Sequence, residues 1–145
     1  MKKRDFDPFG VYGGEDVMPT TDFYEDFTRW TRETHLDNLD AGWWNDPVTK
    51  QDLRSDPHVV VTKMMLIVSE ISEAVEAYRK DLMDSHLPDR KGVEVELADA
   101  IIRIADMAGC LGMDIGAAIR EKLEYNQNRL DHKVENRQKA HGKRF

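Results

Sequence analysis

Two pairs of acidic residues stand out because each pair lies within a long, mostly apolar stretch. Glu70 and Glu73 form the first pair, and Glu96 and Asp99 form the second. Residues three positions apart share one face of a helix, so each pair presents two carboxylates together. Two such helices packed antiparallel would bring all four carboxylates to one place. Carboxylate oxygens are the ligands that a hard divalent cation such as Mg²⁺ prefers, and the sequence therefore predicts a metal site.

The second acidic stretch also allows a simpler interpretation. Its apolar residues cover most of the predicted helix, and a single polar strip holds Glu96, Asp99, Arg103 and Asp106. This strip could be the solvent-exposed face of the helix, with Asp99 and Arg103 paired one turn apart. A helix that is apolar on its other sides needs cover, and a chain of 145 residues offers little of it. We therefore expect a subunit interface here.

Start and stop signals divide the chain into four helices and predict an all-α fold, a four-helix bundle. With the subunit interface expected above, we predict that this bundle assembles as a homo-oligomer. Thr20 or Thr21 caps the first helix, Asp56 and Pro57 begin the second, and Asp114 caps the fourth. The predicted helices span about residues 20–39, 57–80, 93–111 and 115–130, with a short helical turn expected near residues 50–53. We expect a flexible arm at 1–19, one all-α domain at 20–130 and a basic tail at 131–145.

Composition excludes several classes of protein. The net charge of −7 is unsuited to binding a nucleic acid polymer, which needs lysine and arginine to neutralise phosphates. A single cysteine, Cys110, excludes an internal disulfide and a cysteine-based zinc cluster. No apolar run reaches the length of a membrane span, and the basic start is not followed by the apolar segment of a secretory signal. We therefore expect a soluble cytoplasmic protein without a membrane partner.

Three residues of the fourth predicted helix have side chains suited to phosphate oxygens. Lys122, Asn126 and Arg129 fall on or beside its apolar face. Lysine and arginine there could simply reach past the apolar surface to water, but this does not explain the asparagine. Together the three would form a compact phosphate-binding patch, which complements a metal site on the acidic pairs.

Two adjacent tryptophans, Trp43 and Trp44, lie in the connection after the first predicted helix. One or both could close over the core as a hydrophobic lid. They could instead form a stacking surface for a planar base, with His35 and Asn38 contacting the polar edge of that base. The sequence leaves both interpretations open.

From Lys63 to Arg129 the chain resembles the MazG-like superfamily, the all-α nucleoside triphosphate pyrophosphohydrolases. The segments that carry the resemblance are SEISEAVEAYRK at 69–80, EVELADAIIRIADMAGCLGMDI at 94–115 and KLEYNQNR at 122–129, and the closing HGKRF at 141–145 is also similar. The spacing of the two acidic pairs across a loop is the signature of that superfamily.

The resemblance implies an enzyme that hydrolyses a (d)NTP to the (d)NMP and pyrophosphate, for control of nucleotide pools or for removal of damaged nucleotides. The acidic pairs would bind Mg²⁺, with Mn²⁺ as a substitute, through Glu70, Glu73, Glu96 and Asp99. Glu73 and Glu70 are the predicted catalytic residues, because one of the acids would position the attacking water. Lys122 and Asn126 would contact phosphates. Members of the superfamily assemble as dimers or tetramers.

Three alternatives are weighed against this reading. One is phosphoribosyl-ATP pyrophosphohydrolase, which has a related fold. A second is a helical oligomer that binds a nucleotide or a protein partner without turnover. A third, a di-iron carboxylate bundle, uses Glu-x-x-His pairs, and no glutamate of this chain has a histidine three residues later.

Overall fold

The computed structural model describes residues 21–129, and this part of the chain is all-α, as the sequence predicts. Its helices are α1 (Thr21–Asp40), α2 (Pro57–Arg79), α3 (Gly92–Cys110) and α4 (Ile115–Asn128). The described residues contain no strand and only two isolated β-bridges. None of their helices is long and apolar enough to cross a membrane. The predicted arm at 1–19 and the predicted tail at 131–145 lie outside the described residues.

Local chemistry explains where the helices begin and end. The Asp56 carboxylate accepts a hydrogen bond from the His58 N–H at 2.8 Å, and Pro57 occupies the first turn of α2. The Asp114 carboxylate caps α4 in the same way by accepting from the Ala117 N–H. Gly112, just beyond α3, has a φ of +64°, a conformation that glycine adopts without strain.

The connection between α1 and α2 differs from the prediction at one point. The expected helical turn near residues 50–53 is wrong, because Lys50 has a left-handed φ of +62°. Asn45 and Asp52 instead form an isolated antiparallel bridge, and the Leu53 N–H donates to the Trp44 carbonyl at 2.8 Å. The connection therefore folds back on itself and holds Trp44 at its inner side.

Helices α2 and α3 pack closely and antiparallel to one another. Ala77, near the end of α2, lies against Gly92 at the start of α3, whereas Glu70 contacts Arg103 further along α3. Most of the buried residues of the two helices are small, among them five alanines: Ala74, Ala77, Ala100, Ala105 and Ala108. Small residues allow the helix axes to approach closely, and this brings polar groups on the facing sides within contact distance.

Helix α1 packs against both α3 and α4, and glycine is required at each contact. A Cβ atom on Gly109 of α3 would overlap the Thr31 carbonyl oxygen and the His35 side chain. A Cβ atom on Gly116 of α4 would overlap the Tyr24 carbonyl oxygen. The Thr28 hydroxyl ties the same junction together by accepting from the Gly116 N–H at 2.9 Å.

The large apolar side chains of α2 and α3 lie mostly outside this packing. In the single chain these residues are exposed: Val61, Met64, Met65, Leu66, Val68, Ile71, Val75 and Tyr78 of α2, and Leu97, Ile101, Ile102 and Ile104 of α3. We call this set the outer apolar face. So many exposed large apolar side chains on two neighbouring helices are typical of an interaction surface.

We expect Gly116→Ala to destabilise the protein, although alanine is ordinarily the better helix former by about 0.5–1 kcal/mol. The added methyl group would force α4 away from α1, and such overpacking costs about 1–3 kcal/mol. Urea denaturation monitored by circular dichroism measures the change.

Ala118→Gly is the matched control because Ala118 is exposed on the same helix. Its removal of a methyl group should cost only the propensity difference of about 1 kcal/mol. A Gly116→Ala protein as stable as the parent would contradict the described contact between α1 and α4.

Candidate functional site

Three of the four predicted metal ligands converge in the structure. One carboxylate oxygen each from Glu70 of α2 and from Glu96 and Asp99 of α3 lies within 4.8 Å of the others. The close antiparallel packing of the two helices produces this arrangement, since it turns Glu70, Glu96 and Asp99 toward the α2–α3 contact. We call these three residues the carboxylate cluster.

The fourth predicted ligand, Glu73, lies outside the carboxylate cluster and is exposed. It is still close enough to act on the cluster through its charge. The pKa of Glu96 is raised above its ordinary value of 4.5, first by burial and next by repulsion from Glu73, with further contributions from Glu70 and Asp99. The four acids therefore share one electrostatic environment, although only three of them have converging oxygens.

Arg103 provides the positive charge that compensates the cluster. Its Nε donates to Glu70 Oε1 at 2.6 Å, and the Glu70 side chain is only 8% exposed. A buried carboxylate requires such a partner because burial without one is costly. The pairing of Arg103 with Asp99, expected if the strip were only a solvent-exposed face, is absent from the ion pairs of residues 21–129. The polar strip of α3 instead contacts the neighbouring helices.

Further along the same strip, Asp106 joins α3 to α1 and to the connection. Its Oδ1 lies 2.9 Å from His35 Nδ1 and accepts a hydrogen bond from Trp44 Nε1 at 2.8 Å. The His35 and Trp44 rings meet edge to face, with 5.5 Å between centroids. Lys63 of α2 lies over the Trp44 ring, with Nζ 4.3 Å from its centroid. This buried node links α1, α2, α3 and the connection.

The four residues predicted to contact a base have different environments. Trp44 is completely buried and His35 is buried beside it, so Trp44 corresponds to the lid over the core. In this conformation neither face of Trp44 is open to a ligand. The Trp43 side chain is on the surface, and the residue is 69% exposed. Its backbone N–H donates to the backbone carbonyl of half-buried Asn38. Base binding by these residues stays a prediction, for which Trp43 offers the accessible ring.

Lys122 and Asn126 lie on α4, and Arg129 is the residue that follows this helix. Helix α4 packs mainly against α1 and not against α2, which carries Glu70 of the carboxylate cluster. Lys122 Nζ is 4.7 Å and Arg129 Cζ is 5.8 Å from the centroid of the Tyr125 ring, so these two cations share one side of the helix. Asn126 Oδ1 is buried and has no hydrogen-bond partner among residues 21–129. Phosphate binding by the three residues stays a prediction.

Two basic residues without a predicted role lie near acids of the α3 strip, Arg103 beside Glu70 and Lys63 near Asp106. Arg103 contacts Glu70, and burial lowers the pKa of Lys63, which the charge of Arg103 lowers further while that of Asp106 raises it. Lys63 falls next to Glu70 on a helical wheel, and Arg103 belongs to the acidic strip. Their positions on the same helix faces as the acids could therefore be seen in the sequence. Their contacts could not, because these depend on how the helices pack against one another.

The carboxylate cluster fits a hard divalent cation in the chemistry of its donors. Mg²⁺ takes oxygen ligands, keeps several waters and is usually held by one or two carboxylates together with substrate phosphates. Burial and then repulsion from the neighbouring acids raise the pKa of Glu96, and a bound cation would offset both by favouring the ionised carboxylate. Glu70, Glu96 and Asp99 are the residues that would hold it.

Comparison of the chain with protein-family models, with curated proteins and with solved structures finds no match. The resemblance to the MazG-like superfamily therefore remains a prediction from the sequence segments.

We expect the protein in chelator to lose stability as the pH rises above about 4.5, partly because of Glu96. The folded state holds the Glu96 proton more tightly than the unfolded state, because the pKa is raised on folding. The resulting penalty is absent below the unfolded pKa and is complete above the raised folded pKa. Glu96→Gln should therefore increase the melting temperature at pH 7 in chelator and flatten its pH dependence.

Addition of Mg²⁺ should stabilise the parent protein, by about 2.7 kcal/mol at a concentration 100 times the Kd, and should stabilise Glu96→Gln less. Glu94→Gln is the control, because Glu94 is exposed on α3 and pairs with Arg90 outside the cluster. Equal responses of the two variants to pH and to Mg²⁺ would contradict the crowding of charge at Glu96.

Proposed function

We propose that this protein is a Mg²⁺-dependent nucleotide pyrophosphohydrolase, which cleaves a (d)NTP to the (d)NMP and pyrophosphate. The observation that carries the proposal is the convergence of Glu70, Glu96 and Asp99, because these acids come from the two motifs that resemble the MazG-like signature. The spacing within each pair places its two acids on one helix face, but it does not determine whether the two faces turn toward each other. Their meeting at the α2–α3 contact is what a shared metal site requires.

The residues of the chain have distinct roles in the proposed reaction. Glu70, Glu96 and Asp99 would hold Mg²⁺, which when bound neutralises phosphate charge and orients a water for attack. Exposed Glu73 lies beside the cluster without being part of it, so its carboxylate is free to position that water and accept its proton.

Arg103 supplies positive charge next to the acids and is therefore a candidate for contacting the triphosphate. Arg103 has a side chain that is 42% exposed, so its guanidinium is accessible while Nε holds Glu70. A guanidinium binds phosphate oxygens in a forked geometry. Lys122, Asn126 and Arg129 would contact the same phosphates only if α4 of another subunit approached the cluster.

A second copy of the chain is the occupant that we propose for the outer apolar face. This face flanks the carboxylate cluster on both α2 and α3, and a symmetric pairing would bury it against itself. Such an assembly would cover the large apolar side chains that the single chain leaves exposed. It would also bring elements of one subunit close to the acids of the other.

The product of the reaction provides the direct test. The protein is incubated with a panel of NTPs and dNTPs, with Mg²⁺ or with chelator, and the monophosphate, diphosphate, phosphate and pyrophosphate are resolved. We expect monophosphate and pyrophosphate in a metal-dependent reaction. Asp99→Asn should reduce kcat/KM by at least about 10–100-fold, which is the loss caused even by mutation of a residue that only orients a metal ligand. Glu73→Gln should reduce kcat because the attacking water loses its base.

Glu94→Gln again serves as the control and should keep full activity, because its carboxylate lies outside the cluster. Release of a diphosphate would contradict the proposed bond cleavage. Turnover of no nucleotide, together with no stabilisation by Mg²⁺, would favour the helical oligomer that binds without turnover. Turnover of phosphoribosyl-ATP alone would favour the related pyrophosphohydrolase.

We expect a mass in solution of at least twice the 16.8 kDa of the chain, measured by light scattering after gel filtration. Ile71→Glu should reduce the mass to that of one chain, because it puts a charge within the outer apolar face. Leu36→Glu is the matched control, since Leu36 is an exposed apolar residue of α1 that does not belong to the outer apolar face. A parent protein that is monomeric at micromolar concentration would contradict the proposed assembly.

A further inference from the structure

A second candidate site lies between α1 and α4, away from the contact of α2 and α3 that forms the carboxylate cluster. A cavity of about 250 Å³ opens there and is lined by residues of both helices. Three of its lining residues are arginines: Arg29 and Arg32 from α1 and Arg120 from α4. The predicted phosphate patch around Lys122 does not include any of them.

The three arginines differ in how their charges are compensated. Arg29 pairs with Asp26 on the exposed surface of α1. Arg32 and Arg120, in contrast, form no ion pair within 4.0 Å among the ion pairs of residues 21–129. Two guanidinium groups therefore line a shared space without a carboxylate in contact with either of them.

The two carboxylates of the lining do not fill this space. Asp114 Oδ1 accepts hydrogen bonds from the Thr28 hydroxyl at 2.8 Å and from the Ala117 N–H at 3.1 Å. These bonds lower the pKa of Asp114, and the charges of Arg32 and Arg120 add to the effect from a distance. Glu25, the other acid, is exposed. In a chain with a net charge of −7, cations outnumber acids in this cavity.

We propose that the cavity between α1 and α4 binds a small phosphate-bearing anion, which Arg32 and Arg120 contact from opposite helices and Arg29 contacts at the rim. Planar guanidinium groups bind phosphate oxygens through paired hydrogen bonds, and two of them from different helices fit an anion with more than one charge. The volume is below the usual range for a drug-sized ligand, which suits phosphate or pyrophosphate. The proposal does not depend on the proposed hydrolase activity.

Titration calorimetry with pyrophosphate in chelator tests the proposal, because without a metal the carboxylate cluster repels this anion. We expect one pyrophosphate per chain and an affinity that falls with added salt. Arg32→Gln/Arg120→Gln should bind at least about tenfold more weakly, since it removes two charge-assisted contacts. The proposal would be overturned if the parent protein does not bind pyrophosphate, or if the double variant binds it as tightly as the parent does.

Two single variants locate the site. Arg54→Gln removes one positive charge from the exposed connection, and Lys122→Gln removes one from α4 outside the cavity. Unchanged pyrophosphate affinity in Arg54→Gln, together with a loss in Lys122→Gln that is smaller than the loss in Arg120→Gln, supports the cavity. A loss of affinity in Lys122→Gln that matches or exceeds the loss in Arg120→Gln would overturn the assignment and favour the patch around Tyr125.

The source of the phosphate group is distinguished by three further titrations. Tighter binding of a nucleoside monophosphate than of inorganic phosphate would identify a nucleotide as the ligand, and equal binding would identify the free anion. Acetate at equal ionic strength should have no effect, and an equal response to acetate would overturn specific recognition of phosphate. If the double variant does not fold, Arg120→Lys replaces it: we expect weaker binding because lysine lacks the forked geometry, and unchanged affinity would overturn the role of Arg120.

Discussion

The ion pair between Arg103 and Glu70 is the contact on which the arrangement of α2 and α3 depends. It compensates a carboxylate that is almost completely buried, and a buried charge without a partner would strongly disfavour this packing. Alanines on both helices allow the close approach that the ion pair needs. The close contact of α2 and α3 also brings Glu96 and Asp99 next to Glu70. The same helix contact therefore forms both the ion pair and the carboxylate cluster.

Packing small and charged residues inside leaves the large apolar side chains of α2 and α3 outside. The free energy of the helix contact therefore comes less from apolar burial within one chain than is usual for a helical domain. Burial of the outer apolar face against a second copy would supply what the single chain lacks. The polar strip of α3 faces the neighbouring helices, where its acids form the proposed metal site. The apolar side chains of α3 are therefore left outside, where a second copy of the chain would cover them.

The node around Asp106 accounts for the position of the remaining elements. One carboxylate oxygen contacts both His35 of α1 and Trp44 of the connection, so it holds α1 on α3 and closes the connection over the core. His35 and Trp44, which the sequence presents as candidates for binding a base, thus pack in the interior of the protein. Trp43, the adjacent residue, remains exposed because the connection turns between the two rings. Further toward its N-terminus, the same face of α1 contacts α4 through Tyr24 and Thr28, and the arginine-lined cavity opens there.

Local chemistry made the helices, their caps and the spacing of the acidic pairs predictable, because each depends on residues within one or two turns. The rotation of each helix about its axis was not predictable in this way. It decides that Glu73 lies outside the carboxylate cluster, that Arg103 pairs with Glu70 and not with Asp99, and that α4 packs against α1. Glycine and alanine contacts between distant segments set these rotations, and such contacts leave no periodic signal in the sequence. The sequence by itself therefore determined which residues could bind a metal, and only the tertiary structure decided which of them meet.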